Sequence, residues 1–190
     1  MTTAWLVVGL GNPGPTYALN RHNIGARVIS ALADEFNCNL AKHKRANALV
    51  GEFRLGEDQV IIAQPTSFMN ESGGPTKALA NFYKISTEHI IVLHDELDIE
   101  LGAIRLKFGG GDNGHNGLKS IRKALATGDW YRIRLGIGRP PGRQDPADFV
   151  LRNFASTEQQ EVVDLITRAA ESTKHLITTS LVETQNRFNS

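Results

Sequence analysis

The sequence has one cysteine, Cys38, among 190 residues. No internal disulfide can form, and such sparing use of cysteine suits a reducing compartment. No apolar run reaches the roughly 18 residues of a membrane-spanning helix. The opening Met1-Thr2-Thr3-Ala4-Trp5 has no basic flank and runs straight into a strand-like segment, unlike a secretory signal. A cytoplasmic location is therefore expected. Repeats, low-complexity tracts and dividing linkers are also missing, which leaves a single domain over 1–190. No G-x-S-x-G elbow signals a serine nucleophile. Cys38, beside an amphipathic helix, reads as a structural thiol.

Hydrophobic residues make up 41% and charged residues 22%, as in an ordinary globular domain. Net charge is only +1, but it is unevenly spread: +3 over 1–45, −6 over 46–100, +7 over 101–143 and −3 over 144–190. A near-neutral chain with such a basic stretch can still present a cationic patch to a polyanion.

Periodicity predicts alternating strands and helices. Residues 5–10 read as a buried strand, and 23–36 as a helix with Ile24, Val28, Leu32 and Phe36 on one face. Residues 48–55 and 59–63 read as a hairpin turning at Gly56-Glu57-Asp58, with a loop from Pro65. A helix is expected over 70–83 with Leu79, Phe82 and Tyr83 inward, then strands over 90–93 and 103–108. A glycine-rich loop, a helix over 118–125, a strand over 131–137 and a loop over 138–146 follow. Ser156-Thr157-Glu158-Gln159 has the form of a capping box. It opens a C-terminal helix of about 156–180, with Val162, Ile166, Ala169, Thr173 and Ile177 on one side. The interleaving predicts an α/β fold, and the hairpin makes its twisted sheet mixed.

The stretch "VVGLGNPG" spells G-x-G-x-x-G, the dinucleotide fingerprint. Its context is wrong. Pro15 follows Gly14, the helix pattern starts only near 21–23, and Pro13 removes a main-chain N–H that phosphate would need. Asp34 and Glu35 fall at a helix end, where the fingerprint requires a strand end. What the turn does carry is Asn12, at the carboxyl end of a strand, where α/β sheets place ligands.

Six histidines are available. His43, His89 and His175 have ordinary surface readings. His22 stands at the start of a predicted helix, where the dipole disfavours imidazolium and helps keep a neutral base. Asp95 follows a short apolar strand. A carboxylate there can fix an imidazole tautomer and leave the other nitrogen as the base. His94, Asp95 and Asp98 of "HDELD" could in principle ligate a cation, but no second His/Cys pair has metal spacing, so no metal is assigned. Asn70 and Asn116 sit at loop-to-helix junctions, suited either to capping or to holding a polar substrate.

Taken together, "VVGLGNPGPTYALNRHNIG", "PTSFMNESG", "HDELD", "GGGDNGHNGLKS" and "RIRLGIGRPPG" resemble the bacterial peptidyl-tRNA hydrolases, in order from about residue 5 to 150. The tail "FVLRNFASTEQ…TQNR" fits as well. One departure is Asp112-Asn113 in the glycine loop, which adjusts the loop's charge. The resemblance implies a monomeric esterase without cofactor or metal. It would free tRNA from peptides dropped by stalled ribosomes by cutting the ester to the 3′ adenosine. It implies His22 as general base and Asp95 as the residue that orients it. Asn70 and Asn116 would hold the 3′ CCA end, with Tyr17 and Phe68 lining that end, and Asn12 would read the peptide. Lys107 and Arg134 would clamp the 5′ phosphate. Lys119, Arg122, Arg139 and Arg143 could add contacts to the acceptor-stem backbone. An RNA-binding module without hydrolysis would keep the basic patch but would not need His22 with Asp95. A nucleotide-dependent oxidoreductase would need the fingerprint already set aside.

Overall fold

The structure, a computed structural model, describes residues 2–189. In chain order the elements are β1 (Ala4–Gly9), α1 (Ile24–Glu35), β2 (Ala41–Lys42), β3 (Ala48–Leu55), β4 (Asp58–Pro65), α2 (Gly73–Tyr83), β5 (Ile90–Glu96), β6 (Ile104–Phe108), α3 (Asn116–Leu125), β7 (Tyr131–Gly136), α4 (Pro146–Val150), α5 (Gln159–Thr178) and α6 (Leu181–Phe188). The strands form one seven-stranded sheet in the order β2-β3-β4-β1-β5-β7-β6. The central pairs β4–β1, β1–β5 and β5–β7 are parallel, and the outer pairs are antiparallel. The expected mixed α/β sheet is therefore present.

The sheet is covered on both faces, which is why its central strands read as unbroken apolar runs. Side chains alternate along each strand. Trp5, Val7, Val60, Ile62, Ile91 and Leu93 face one way, against α1, α4, α5 and α6. Leu6, Val8, Ile61, Ala63, Ile90 and Val92 face the other, against α2 and α3.

α1 lies unusually close to the sheet centre, and two glycines permit it. A Cβ on Gly9 would sit 2.2 Å from the Gly25 carbonyl oxygen, and one on Gly25 would sit 2.2 Å from that of Leu93. Gly9 of the apparent fingerprint thus serves helix-to-strand packing. The loop beyond it makes a turn after β1, and no helix opens at Gly14.

Several boundaries differ from expectation. Helix 23–36 begins at Ile24, with Arg21–Asn23 a 3-10 turn before it, and helix 70–83 begins at Gly73 after a 3-10 turn over Met69–Glu71. Pro65 ends β4, where a loop was expected to start. Phe82, expected inward, is 52% exposed, and its ring packs edge-on against His43 and Tyr83 at the rim of the helix face that Leu79 buries. The capping box is displaced by one residue. Glu158 accepts from the Ala155 N–H at 2.7 Å, and Ala155 has no side-chain oxygen to complete the exchange. β2, α4 and α6 were not foreseen; each is short, and periodicity needs length to show. Ile166 is only half-buried, and Leu165 takes the inward position beside Val162. Among the described residues, no helix is long and apolar enough to cross a membrane.

Candidate active site

The β1–α1 connection, the carboxyl end of β5 and the segment between β6 and α3 build the site. The turn after β1 supplies Asn12, and the 3-10 turn before α1 supplies His22. The end of β5 supplies Asp95, the glycine-rich loop supplies His115, and the first residue of α3 is Asn116. Residues 73 positions apart in sequence meet where His22 Nδ1 lies 2.8 Å from Asp95 Oδ2 and 2.9 Å from Oδ1. Asp95 is almost fully buried, so its charge is expressed on its few neighbours. Donation from His22 Nδ1–H leaves Nε2 unprotonated, as a general base requires. The pair opens into a cleft of about 160 Å³ that is also lined by Leu97, Asn113, Asn116, Pro146 and Val150.

The His22 electrostatics differ from expectation. Burial pushes its pKa down, but the Asp95 charge and hydrogen bond outweigh burial, and the net shift is upward from 6.5. The helix-start argument pointed the other way; it left out the charge of the Asp95 carboxylate, which at 2.8 Å from the ring decides the direction. Burial alone would raise Asp95, yet His22 and His115 hold it well below the usual carboxylate range.

His115 was assigned no role from the sequence. Its Nε2 lies 2.8 Å from Asp95 Oδ1, and its Nδ1 accepts from the main-chain N–H groups of Gly117 and Leu118. His94 sits behind them, fully buried, with Nδ1 donating to the Asp95 carbonyl at 2.8 Å. Burial, together with nearby His115, pushes His94 down to about 3. His22, Asp95 and His115 form the one group of potential metal ligands among the described residues. Hydrogen-bond accounting disfavours a cation there. His115 Nδ1 is already an acceptor, so Nε2 must carry the ring proton, and ligation through it would require an imidazolate. The "HDELD" alternative does not assemble, because Asp98 is engaged by Arg139 and Asn113.

Asn12 is held at three points. Asn23 Oδ1 accepts its main-chain N–H, and Asn23 Nδ2 donates to its carbonyl, both at 2.9 Å. The Met69 N–H donates to Asn12 Oδ1 at 2.7 Å. Neither Asn23 nor Met69 was assigned a role from sequence, since only folding brings them to Asn12. Tyr17 and Phe68 meet edge to face, with ring centroids 6.5 Å apart, and Phe68 is 54% exposed. Asn70 lies exposed in the next 3-10 turn.

Lys107 and Arg134 line one cavity of about 380 Å³ beside the cleft, with His94, Glu96 and Arg132. Burial lowers the pKa of both cations, partly offset by Glu96. Arg132 is an unforeseen member. It is stacked 3.8 Å over Trp130, donates to the carbonyls of Gly110, Gly111 and Gly128, and is lowered to about 10 by burial. Buried His94 Nε2, Arg132 Nε and Arg134 Nε have no partner among the described residues. The other cations divide. Arg139 is paired with Asp98 at 2.5 Å, and Arg122 touches the Gly110 carbonyl, while Lys119 and Arg143 are exposed. Asn113 is the consequence of the loop's departure. With φ +49°, its amide bridges Glu96 (2.6 Å) and Asp98 (2.7 Å). His43, His89 and His175, expected at the surface, are half-buried. His43 packs against Phe82, His89 edges onto Trp5, and His175 bonds Thr184.

The model of the peptidyl-tRNA hydrolase family matches residues 6–190. The chain belongs to the peptidyl-tRNA hydrolase family. Its activity is hydrolysis of peptidyl-tRNA. It is 57% identical over 185 residues to the peptidyl-tRNA hydrolase of Frankia casuarinae, covering 97% of this chain and 93% of the relative. The peptidyl-tRNA hydrolase of Streptomyces coelicolor is 52% identical, over 98% of this chain and 95% of the relative. The crystal structure of the Acinetobacter baumannii peptidyl-tRNA hydrolase superposes with a TM-score of 0.92 at 35% identity, covering 100% of this chain and 96% of that one. Peptidyl-tRNA hydrolases thus share both this fold and, through their sequences, the full length of this chain.

Proposed function

We propose that this peptidyl-tRNA hydrolase works by general-base activation of water, with His22 as the base and Asp95 as the residue that orients it. The carrying observation is the 2.8 Å contact between His22 Nδ1 and a buried Asp95 carboxylate at the mouth of a cleft. Water donates a proton to His22 Nε2 and attacks the ester carbonyl. The tetrahedral intermediate then collapses, the bond to the ribose oxygen breaks, and the imidazolium returns its proton to that oxygen. Peptide carboxylate and tRNA leave. General-base assistance of this kind contributes roughly 10²–10⁴-fold. An ester with a vicinal hydroxyl on its leaving group needs no covalent intermediate.

Asn70 and Asn116 bind the 3′ CCA end, with Tyr17 and Phe68 lining it. Asn12 donates from Nδ2 to the peptide carbonyl that an N-blocked substrate has and an aminoacyl-tRNA lacks. Lys107 and Arg134 bind the 5′ phosphate, supported by their placement in one cavity beside the cleft. Exposed Lys119 and Arg143 are available to the acceptor-stem backbone. The enzyme acts as a monomer, as one catalytic domain.

The test is single-turnover hydrolysis of N-acetyl-aminoacyl-tRNA alongside unblocked aminoacyl-tRNA. The wild-type chain should cleave only the blocked form at an appreciable rate. His22→Ala should bind tRNA normally and turn over at least about 100-fold more slowly. Full activity in His22→Ala would remove the base assignment.

A further inference from the structure

Asp95 has two carboxylate oxygens and two imidazole partners. His22 Nδ1 approaches both oxygens, at 2.8 and 2.9 Å, and His115 Nε2 takes Oδ1 at 2.8 Å. The two rings lie 4.9 Å apart between centroids, and the side chain of His115 is only 7% exposed. The protonation of His115 follows from its other nitrogen. Nδ1 accepts N–H groups at 3.1 Å from Gly117 and 3.4 Å from Leu118, so it carries no proton and Nε2–H is the donor. A histidine thus caps the N-terminus of α3.

We infer that His115 is a positioning residue for the hydrolytic base, using one ring nitrogen to cap α3 and the other to hold the Asp95 carboxylate toward His22. The inference rests on the reading of His22 as base. Its physical content is twofold. A neutral donor on Oδ1 fixes the rotation of the carboxylate. The same donor draws off part of the negative charge that holds a proton on His22, and so keeps more of His22 as free base near neutral pH. The titratable groups around Asp95 are His22, His115, His94 and Glu96, with Arg132 beyond His94. Of these, only His22 and His115 reach the carboxylate oxygens.

Two substitutions separate the two nitrogens. In His115→Asn the amide oxygen falls near the place of Nδ1 and can cap α3, but nothing reaches Asp95. In His115→Gln the amide nitrogen falls near the place of Nε2 and can donate to Asp95, while the cap is weakened. The expected result is that thermal stability follows the Asn variant and catalysis follows the Gln variant. His115→Asn should melt like wild type, lose about tenfold in kcat/KM, and move the acid limb of its pH profile upward by roughly half a unit or more. His115→Gln should retain most activity and the wild-type limb, with a lower Tm. Wild-type kcat/KM and pH profile in His115→Asn would overturn the inference, as would a Gln variant as impaired as His115→Ala. His22→Ala is assayed in parallel. An active His22→Ala removes the base assignment itself, whereas an inactive His22→Ala with a normal His115→Asn removes only the role of His115.

Discussion

The Met69 main-chain N–H donates to Asn12 Oδ1 at 2.7 Å. This one bond settles which end of the Asn12 amide is spent. The oxygen is taken, so the NH₂ is left to donate, and Asn23 holds the backbone beneath it. An amide donor can pair with the carbonyl of a blocked amino group and offers nothing to a free ammonium. Asn12→Asp keeps the Met69 contact and loses only the donor. We expect at least about a tenfold loss of kcat/KM on N-acetyl-aminoacyl-tRNA and a narrowed preference over the unblocked form. An unchanged ratio of the two rates would show that Asn12 does not discriminate.

Burial lowers the His22 pKa and Asp95 raises it further than burial lowers it, so the acid limb of activity should lie above the ordinary histidine value of 6.5. Below that limb Nε2 is protonated, and kcat/KM should fall about tenfold per pH unit. In Asp95→Asn the opposing charge is gone and burial dominates, so the residual limb should move below 6.5, with the plateau lowered by roughly 10²–10⁴-fold. A pH series of kcat/KM for the two proteins measures both effects.

The cavity beside the cleft holds Lys107, Arg132 and Arg134 against a single carboxylate, Glu96. Substrate affinity should fall steeply with salt, and Lys107→Ala should reduce the slope of log K against log[salt] by about one. Because Arg132 also ties down Gly110, Gly111 and Gly128, Arg132→Ala should in addition lower Tm, whereas Lys107→Ala should not. Titrations of tRNA at several salt concentrations, with melting curves, distinguish the two.

Asn113 joins the glycine-rich loop to Glu96 and Asp98 with two charge-assisted bonds. Asn113→Gly keeps the left-handed backbone at φ +49° without strain but removes both bonds. Amide exchange across residues 109–117 should quicken, consistent with a loss of about 1.5–3 kcal/mol per bond to a charged group before loop relaxation. Equal protection in the two proteins would mean that the loop is held by other contacts.

Much of this was legible in the sequence, and the residues show why. The sheet and its two covering layers follow from local rules: apolar runs such as 90–93 bounded by turn residues, and 3.6-residue periodicity in 23–36 and in the C-terminal helix. The false dinucleotide fingerprint was exposed by neighbours, Pro13 and Pro15, and its Gly9 proved to serve packing of α1. The candidate residues His22, Asp95, Asn12, Asn70 and Asn116 stood out by their places at strand ends and helix starts, and the resemblance supplied the roles proposed for them. Tertiary structure alone decided how these residues act together. Whether His22 is raised or lowered depends on a carboxylate 73 positions away, in a strand that pairs with β1. Which end of Asn12 is free depends on Met69, and what holds Asp95 depends on His115. Sequence fixes backbone preference over a few residues at a time. The strength of a charge or a hydrogen bond is set by distance and burial, which exist only once the chain has closed on itself.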